Sequence, residues 1–303
     1  MKFGSLQDSL DMTNEMPWSA RDVPTTVYEM LAGTAAKFPD RPAISYQLMS
    51  GATDKAETLS WSQFHDQVCQ AANLFRSLGV GEGDVVALVL PNATETAVAL
   101  IGGMTAGIVN PINPLLEPEQ IGAILRETKA KVVVTLRNFP KTDVAQKTAE
   151  AVKHAPNVHT ILTVDLNRYL TPPKSWIVPL VRPKMNVNHH ADVKSFNAEM
   201  AKQPKTLSFE DRKVDRVAAY FHTGGTTGMP KVAQHLNSGI VYQGWLGQEL
   251  LFDEYESIIN HLLSTSTFAS TSTTPYEVSV EIKELINVAD KIICLDCDLS
   301  EAR

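Results

Sequence analysis

A chain of 303 residues, 44% hydrophobic and 20% charged, has the apolar mass for a substantial core in one long domain or two joined subdomains. Its formal net charge of −7 argues against generalised binding to nucleic acid or acidic membranes, but leaves room for a local basic loop that holds an anion. Three cysteines, Cys69, Cys294 and Cys297, are too few and too unevenly spaced for a disulfide framework. The first eight residues lack the apolar core of a signal peptide, and the longest apolar stretch, 97–109, holds three glycines and is too short to span a bilayer. A soluble, cytoplasmic protein is expected.

Residues 1–24 carry no periodic pattern and are expected to form a loose arm. From Thr25 helix and strand alternate. Val27, Met30, Leu31, Thr34 and Ala35 share one helical face that ends before Pro39, and 43–48 is a short strand candidate. Leu59 to Phe64 leads into a helix whose Phe64, Val68, Ala72, Phe75 and Leu78 recur at helical spacing, with Gly79 closing it. The run 85–90 is uninterruptedly apolar, as a strand buried on both faces is, and 131–136 and 159–164 read as the next strands. Between and around them, 93–107, 118–128 and 142–154 read as helices. This rhythm predicts an α/β architecture of mainly parallel sheets flanked by helices.

The stretch 171–204 breaks the rhythm with five prolines and is expected to be an irregular insertion. Its apolar patch, 176–181, is expected to pack back on the body, with a peripheral membrane contact as the alternative. His189 and His190, adjacent in a Pro/Asn-rich loop, read as solvated rather than as metal ligands.

After the apolar run Val217 to Phe221 comes His222-Thr223-Gly224-Gly225-Thr226-Thr227-Gly228-Met229-Pro230-Lys231. Glycines let successive N–H groups converge, threonine hydroxyls add rotatable donors, and Lys231 adds a positive charge. This is equipment for holding a polyphosphate at a strand's end. It is not a Walker loop, because Met229 and Pro230 separate Gly228 from Lys231 and Val232 follows.

In its order the stretch closely resembles the phosphate-binding signature Thr-Ser-Gly-Thr-Thr-Gly-x-Pro-Lys-Gly of the adenylate-forming enzymes, which include acyl-CoA synthetases, firefly-luciferase-like enzymes and peptide-synthetase adenylation domains. Thr223, Gly225, Thr226, Thr227, Gly228, Pro230 and Lys231 match; Gly224 stands where the family has Ser, and Val232 where it has Gly. His235-Leu236-Asn237 is similar to the family's His-x-Asn, 59–64 to its Leu-Thr-Tyr-x-Glu-Leu, and 106–114 to its Ala-Gly-x-x-x-x-Pro-x-Asn-Pro. The resemblance spans about 25–246 and implies the N-terminal body of the adenylate-forming fold, incomplete here. It implies an ATP-dependent acyl-CoA synthetase that activates a fatty or other carboxylic acid as acyl-adenylate and passes it to coenzyme A, using ATP, Mg²⁺ and CoA. It gives Thr223, Gly224, Gly225, Thr226, Thr227, Gly228 and Lys231 to the ATP phosphates. His222 would neighbour the acyl site, or equally be a core histidine bonded to a nearby carbonyl.

The family's adenine, ribose and catalytic-lysine motifs are not identifiable, so no catalytic residue and no metal ligand is assigned, and an inactive fragment is expected. Residues 247–303 form a tail of different character. Leu250 to Glu254 and Lys291 to Asp298 faintly resemble a helicase-type DExx segment, and Cys294 and Cys297 have metal or redox spacing within an apolar strand pattern. Two rivals to the ligase reading therefore stand: a non-catalytic remnant that binds nucleotide or protein, and a helicase-like ATPase fragment.

Overall fold

Most element boundaries have a local cause. The computed structural model describes residues 6–49, 51, 54–185, 187–223 and 231–247. The stretch read as a loose arm carries a helix, α1 (Leu6–Glu15), whose described side chains are exposed, so no apolar period announces it. In α2 (Val27–Lys37) the N-terminal amide of Glu29 donates to the Thr26 hydroxyl. β1 (Pro42–Gln47) and β2 (Ala56–Ser60) pair antiparallel as a separate two-stranded sheet. A capping box of Ser60 and Gln63 starts α3 (Trp61–Ser77), and Gly79, with φ of +81°, closes it.

The βα alternation follows: β3 (Val85–Val89), α4 (Thr94–Ala106), β4 (Ile108–Pro111), α5 (Pro118–Glu127), β5 (Val132–Leu136), α6 (Val144–Val152) and β6 (Thr160–Val164). Beyond them lie α7 (Lys174–Val181), β7 (Asp192–Ser195), α8 (Phe196–Met200), β8 (Val217–Thr223) and β9 (Lys231–Leu236), then a helix α9 at 237–247. The main sheet has the order β7-β6-β5-β3-β4-β8-β9. Every neighbouring pair as far as β8 is parallel, and β9 alone is antiparallel, to β8. The mainly parallel α/β architecture expected from the apolar runs is the one observed.

β3 and β5 are buried at all five positions, as strands covered by helices on both faces must be. Phe75 of α3 stacks on Phe196 of α8 at 6.2 Å between centroids, both fully buried. Gly107, where α4 turns into β4, has no room for a side chain: a Cβ would lie 2.5 Å from the Asp84 carbonyl oxygen.

The stretch 171–204 is not irregular throughout. It contains α7, α8 and β7, which pairs in parallel with β6 from Thr160↔Asp192 to Thr163↔Ser195. All four residues of β7 are exposed, so this edge strand has no apolar alternation to reveal it. The apolar patch does not pack back on the body either: Trp176 is 69% exposed, Ile177 50%, Leu180 85% and Val181 57%.

By its contacts Val23–Tyr242 forms one unit, while Met1–Asp22 and Gln243–Arg303 group in a second. In the described part of the second unit, Trp18 meets Trp245 edge to face at 5.5 Å and the Arg21 guanidinium lies 4.6 Å from the Trp245 ring centre. Among the described residues no helix is long and apolar enough to cross a membrane.

Candidate functional site

β8 leaves the sheet at the carboxyl end of its parallel neighbours, the edge at which open α/β sheets bind ligands. Its hairpin with β9 is in register to the last residues: Phe221 faces Ala233, His222 faces Val232 and Thr223 faces Lys231. The glycine-threonine stretch is therefore held at both ends. Thr223 and Lys231 are cross-strand partners, and the connection between them is seven residues long. Lys231 opens β9 and is exposed. Gly224, Gly225, Thr226, Thr227 and Gly228 lie outside the described residues, as does the side chain of Thr223.

His222 is the predicted site residue with the best-defined surroundings. Its Nε2 is 2.8 Å from Oδ1 of Asn110 on β4. Asn110 is fully buried and in turn donates through Nδ2 to the Thr128 hydroxyl at 3.3 Å, which donates to the Ile124 carbonyl at 2.8 Å. Reading donors back along this chain assigns the proton to Nε2 and leaves Nδ1 as a bare acceptor. Nδ1 is buried and has no hydrogen-bond partner among the described residues. Burial holds the imidazole below its ordinary pKa, with the Glu127 carboxylate pulling weakly the other way, so at neutral pH the ring carries no charge. The bond of His222 goes to a side-chain amide, not to a backbone carbonyl.

Of the residues that aim the hairpin, the sequence reading did not single out Arg216. Arg216, just before β8, donates to the carbonyls of Gly107 (2.6 Å) and Val217 (3.0 Å), and to those of Met104 (2.7 Å) and Thr105 (3.2 Å). It thereby caps the carboxyl end of α4 and fixes where β8 starts. Asn237, the asparagine of the His-x-Asn match, is 2% exposed; its Oδ1 accepts from the Val27 amide at 3.3 Å and its backbone N–H donates to the Arg216 carbonyl at 3.0 Å. Asn110 sits in a strand that otherwise reads apolar. A buried amide there was the one available hint, since such a group needs partners.

Among the described residues, hollows flank the sheet. One of about 350 Å³ opens beside Tyr220, Val232 and Gln234 of the hairpin, with Asp84, Glu127 and Lys129 on its other walls. Two carboxylates against one ammonium make it a poor seat for a polyphosphate. Another, of about 390 Å³, lies over the ends of β5 and β6 between α6 and the 182–193 segment. Among the described residues no group of three His, Cys, Asp or Glu is arranged to hold a metal ion. Leu250 to Glu254, Lys291 to Asp298, Cys294 and Cys297 lie outside the described residues.

A family profile described as "AMP-binding enzyme" matches residues 31–272. The match begins inside α2, takes in the whole main sheet and continues past residue 246, where the motif resemblance fades. A marinolic acid–CoA ligase of Pseudoalteromonas sp. (strain SANK 73390) is 34% identical over 232 residues, covering 76% of this chain and 32% of that protein. A long-chain-fatty-acid–CoA ligase of Bacillus subtilis (strain 168) is 32% identical, covering 73% and 40%. Among solved structures, an anthranilate CoA ligase, AuaEII, in complex with anthranoyl-AMP superposes with a TM-score of 0.55 at 19% identity, covering 74% of this chain and 36% of that one. That last likeness is one of fold. The chain spans between 32% and 40% of the length of these three proteins.

Proposed function

The chain belongs to the AMP-binding enzyme family, and from that premise we propose that it is the nucleotide-phosphate-holding part of an ATP-dependent acid–thiol ligase. In the first step a carboxylate oxygen attacks the α-phosphorus of ATP; a carboxyl–phosphate bond forms and the bond to the β-phosphate breaks, releasing pyrophosphate. In the second a thiol, that of coenzyme A, attacks the acyl carbonyl and AMP departs. The curated relatives described above are named for carboxylic acids and CoA, which supports the substrate class without fixing the acid: a fatty or other carboxylic acid.

Phosphoryl chemistry of this kind needs charge held in place more than covalent help. The residues proposed to supply it are the amides and hydroxyls of Thr223, Gly224, Gly225, Thr226, Thr227 and Gly228 together with the Lys231 ammonium, directed at the β- and γ-phosphates. The observation that carries this reading is the Thr223↔Lys231 pairing, which holds both ends of the glycine-threonine connection on a rigid hairpin at the ligand-binding edge of the sheet. His222 is neutral and so brings no positive charge to a phosphate oxygen; the family resemblance gives it the part of an acyl-site neighbour. Mg²⁺, which the family resemblance implies, finds no three-residue donor set among the described residues, and the chemistry proposed runs through the chain's own groups.

Lys231→Ala tests the assignment. In a protein containing this chain and competent for both half-reactions, the variant is expected to slow adenylate formation about 100-fold while leaving thioester formation from supplied acyl-adenylate nearly unchanged. Carboxylate-dependent ATP–pyrophosphate exchange reads the first step. Equal slowing of both steps would remove Lys231 from the pyrophosphate. Absence of any carboxylate-dependent exchange in the wild-type protein would favour a non-catalytic nucleotide binder.

A further inference from the structure

α7 presents an apolar face that the rest of the described body leaves uncovered. Trp176, Ile177, Leu180 and Val181 fall at i, i+1, i+4 and i+5, one side of the helix, and each is at least half exposed. Ser175 and Val178 point the other way and are partly buried. This is not a loose loop that happens to expose side chains. The Ser175 carbonyl accepts from Asn167 Nδ2 at 3.1 Å, and Arg182 Nη2 binds both oxygens of Asp165, at 3.0 and 2.9 Å. Arg182 Nη1 also donates to the Asn138 carbonyl at 2.9 Å, and Asn138 Nδ2 returns a bond to Pro183. At the other end Lys174 pairs with Asp54 at 3.7 Å. The helix is tied down at both ends and along one flank with its greasy side outward.

The charge around it decides what covers that side. Residues 171–191 contain Lys174, Arg182 and Lys184 and no acidic residue, in a chain whose formal net charge is −7. Arg137 shares Asp165 with Arg182, at 3.2 Å. Four cations thus face two carboxylates, Asp54 and Asp165, around one apolar helix, and Lys184 and Met185 are exposed beside it. A tryptophan and three aliphatic side chains ringed by lysine and arginine match the boundary between acyl chains and acidic headgroups, where an indole is well accommodated and cations gain from the surface potential. A protein groove would have to supply both a long apolar trough and an acidic rim.

We propose that the α7 face docks on an anionic phospholipid surface, seating Trp176, Ile177, Leu180 and Val181 at the headgroup–acyl boundary.

Flotation of the purified 303-residue chain with vesicles tests it, using phosphatidylcholine alone and phosphatidylcholine containing about one-third phosphatidylglycerol. The chain is expected to float with the anionic vesicles, to be released by raised salt, and to stay behind with the neutral ones. Leu180→Asp and, separately, Trp176→Ser should each weaken binding about tenfold or more. Both sites are mostly solvent-exposed, so an unchanged melting curve is expected to accompany the loss. In the wild type, the fluorescence component lost in Trp176→Phe should shift to shorter wavelength on adding anionic vesicles. Four results would overturn the proposal: no binding to anionic vesicles; equal binding to neutral ones; binding that survives both variants; or Trp176 emission already blue-shifted without lipid, which would mean that another part of this chain or a second copy covers the face.

Discussion

β5, in the middle of the main sheet, is buried at all five of its positions, while β9 at the sheet's end leaves four of six exposed and the other two partly so. The two regions are held by different forces. The inner strands are fixed by apolar area removed from water on both faces, a force without direction that tolerates many shapes but no unpaired charge. The β8–β9 hairpin has less area to bury and is fixed instead by directed bonds: Arg216 to the end of α4, His222 to Asn110, and Asn237 to α2. A region that must present backbone and side-chain donors to a ligand cannot be buried on both faces. Polar ties can aim such a region without covering it.

If that division holds, damage to the two regions should differ in size and kind. The largest effect is expected from Val133→Asp, which puts a carboxylate with no partner between β3 and β6. The loss should exceed about 4 kcal/mol, enough that urea titration finds no native baseline. A loss below about 1 kcal/mol would mean that the buried sheet is not what holds the body together. Next comes Arg216→Met, which keeps an unbranched side chain but removes every bond to the four carbonyls. A cost of about 2–3 kcal/mol is expected, with folding still cooperative. Hydrogen exchange should then speed up in β8 and β9 while β3 and β5 stay protected. Uniform loss of protection would show that the hairpin is no more separable than the core.

The same division explains what was readable in the sequence. Burial on two faces writes itself as clustered β-branched and aliphatic residues, unbroken at 85–90 and interrupted by threonine at 131–136 and 159–164, so those strands were visible, as was Gly79, whose φ of +81° few other residues accept. β7 was not visible: Asp192 to Ser195 is paired on one edge and exposed on every side chain, leaving no pattern to find. The direction of the 176–181 patch was misread for a related reason. Composition records that a segment is apolar, not whether the chain on either side turns it inward. In the site, the loop and Lys231 stood out by order and spacing, but the bond between His222 and Asn110 joins residues 112 apart, and no local rule links them.

That bond supplies the smallest and most specific test. Burial lowers the pKa of His222 from its ordinary 6.5, so the unfolded chain takes up a proton at a higher pH than the folded one does. The stability contribution of the neutral ring is then complete above 6.5 and is lost as pH falls through the folded value. His65, His159 and His189 are shifted the same way by burial and add to the slope. Comparison with His222→Gln isolates the share of His222, because glutamine can still donate to Asn110 Oδ1 but does not titrate. Urea unfolding at a series of pH values from 7.5 to 5, read about every half unit, should give a shallower fall for the variant than for the wild type. Identical slopes would mean that His222 is charged or solvated in the folded protein. The directed donor chain through Asn110 and Thr128 would then not be what orients the hairpin, and the contrast with the buried strands would lose its best-defined polar tie.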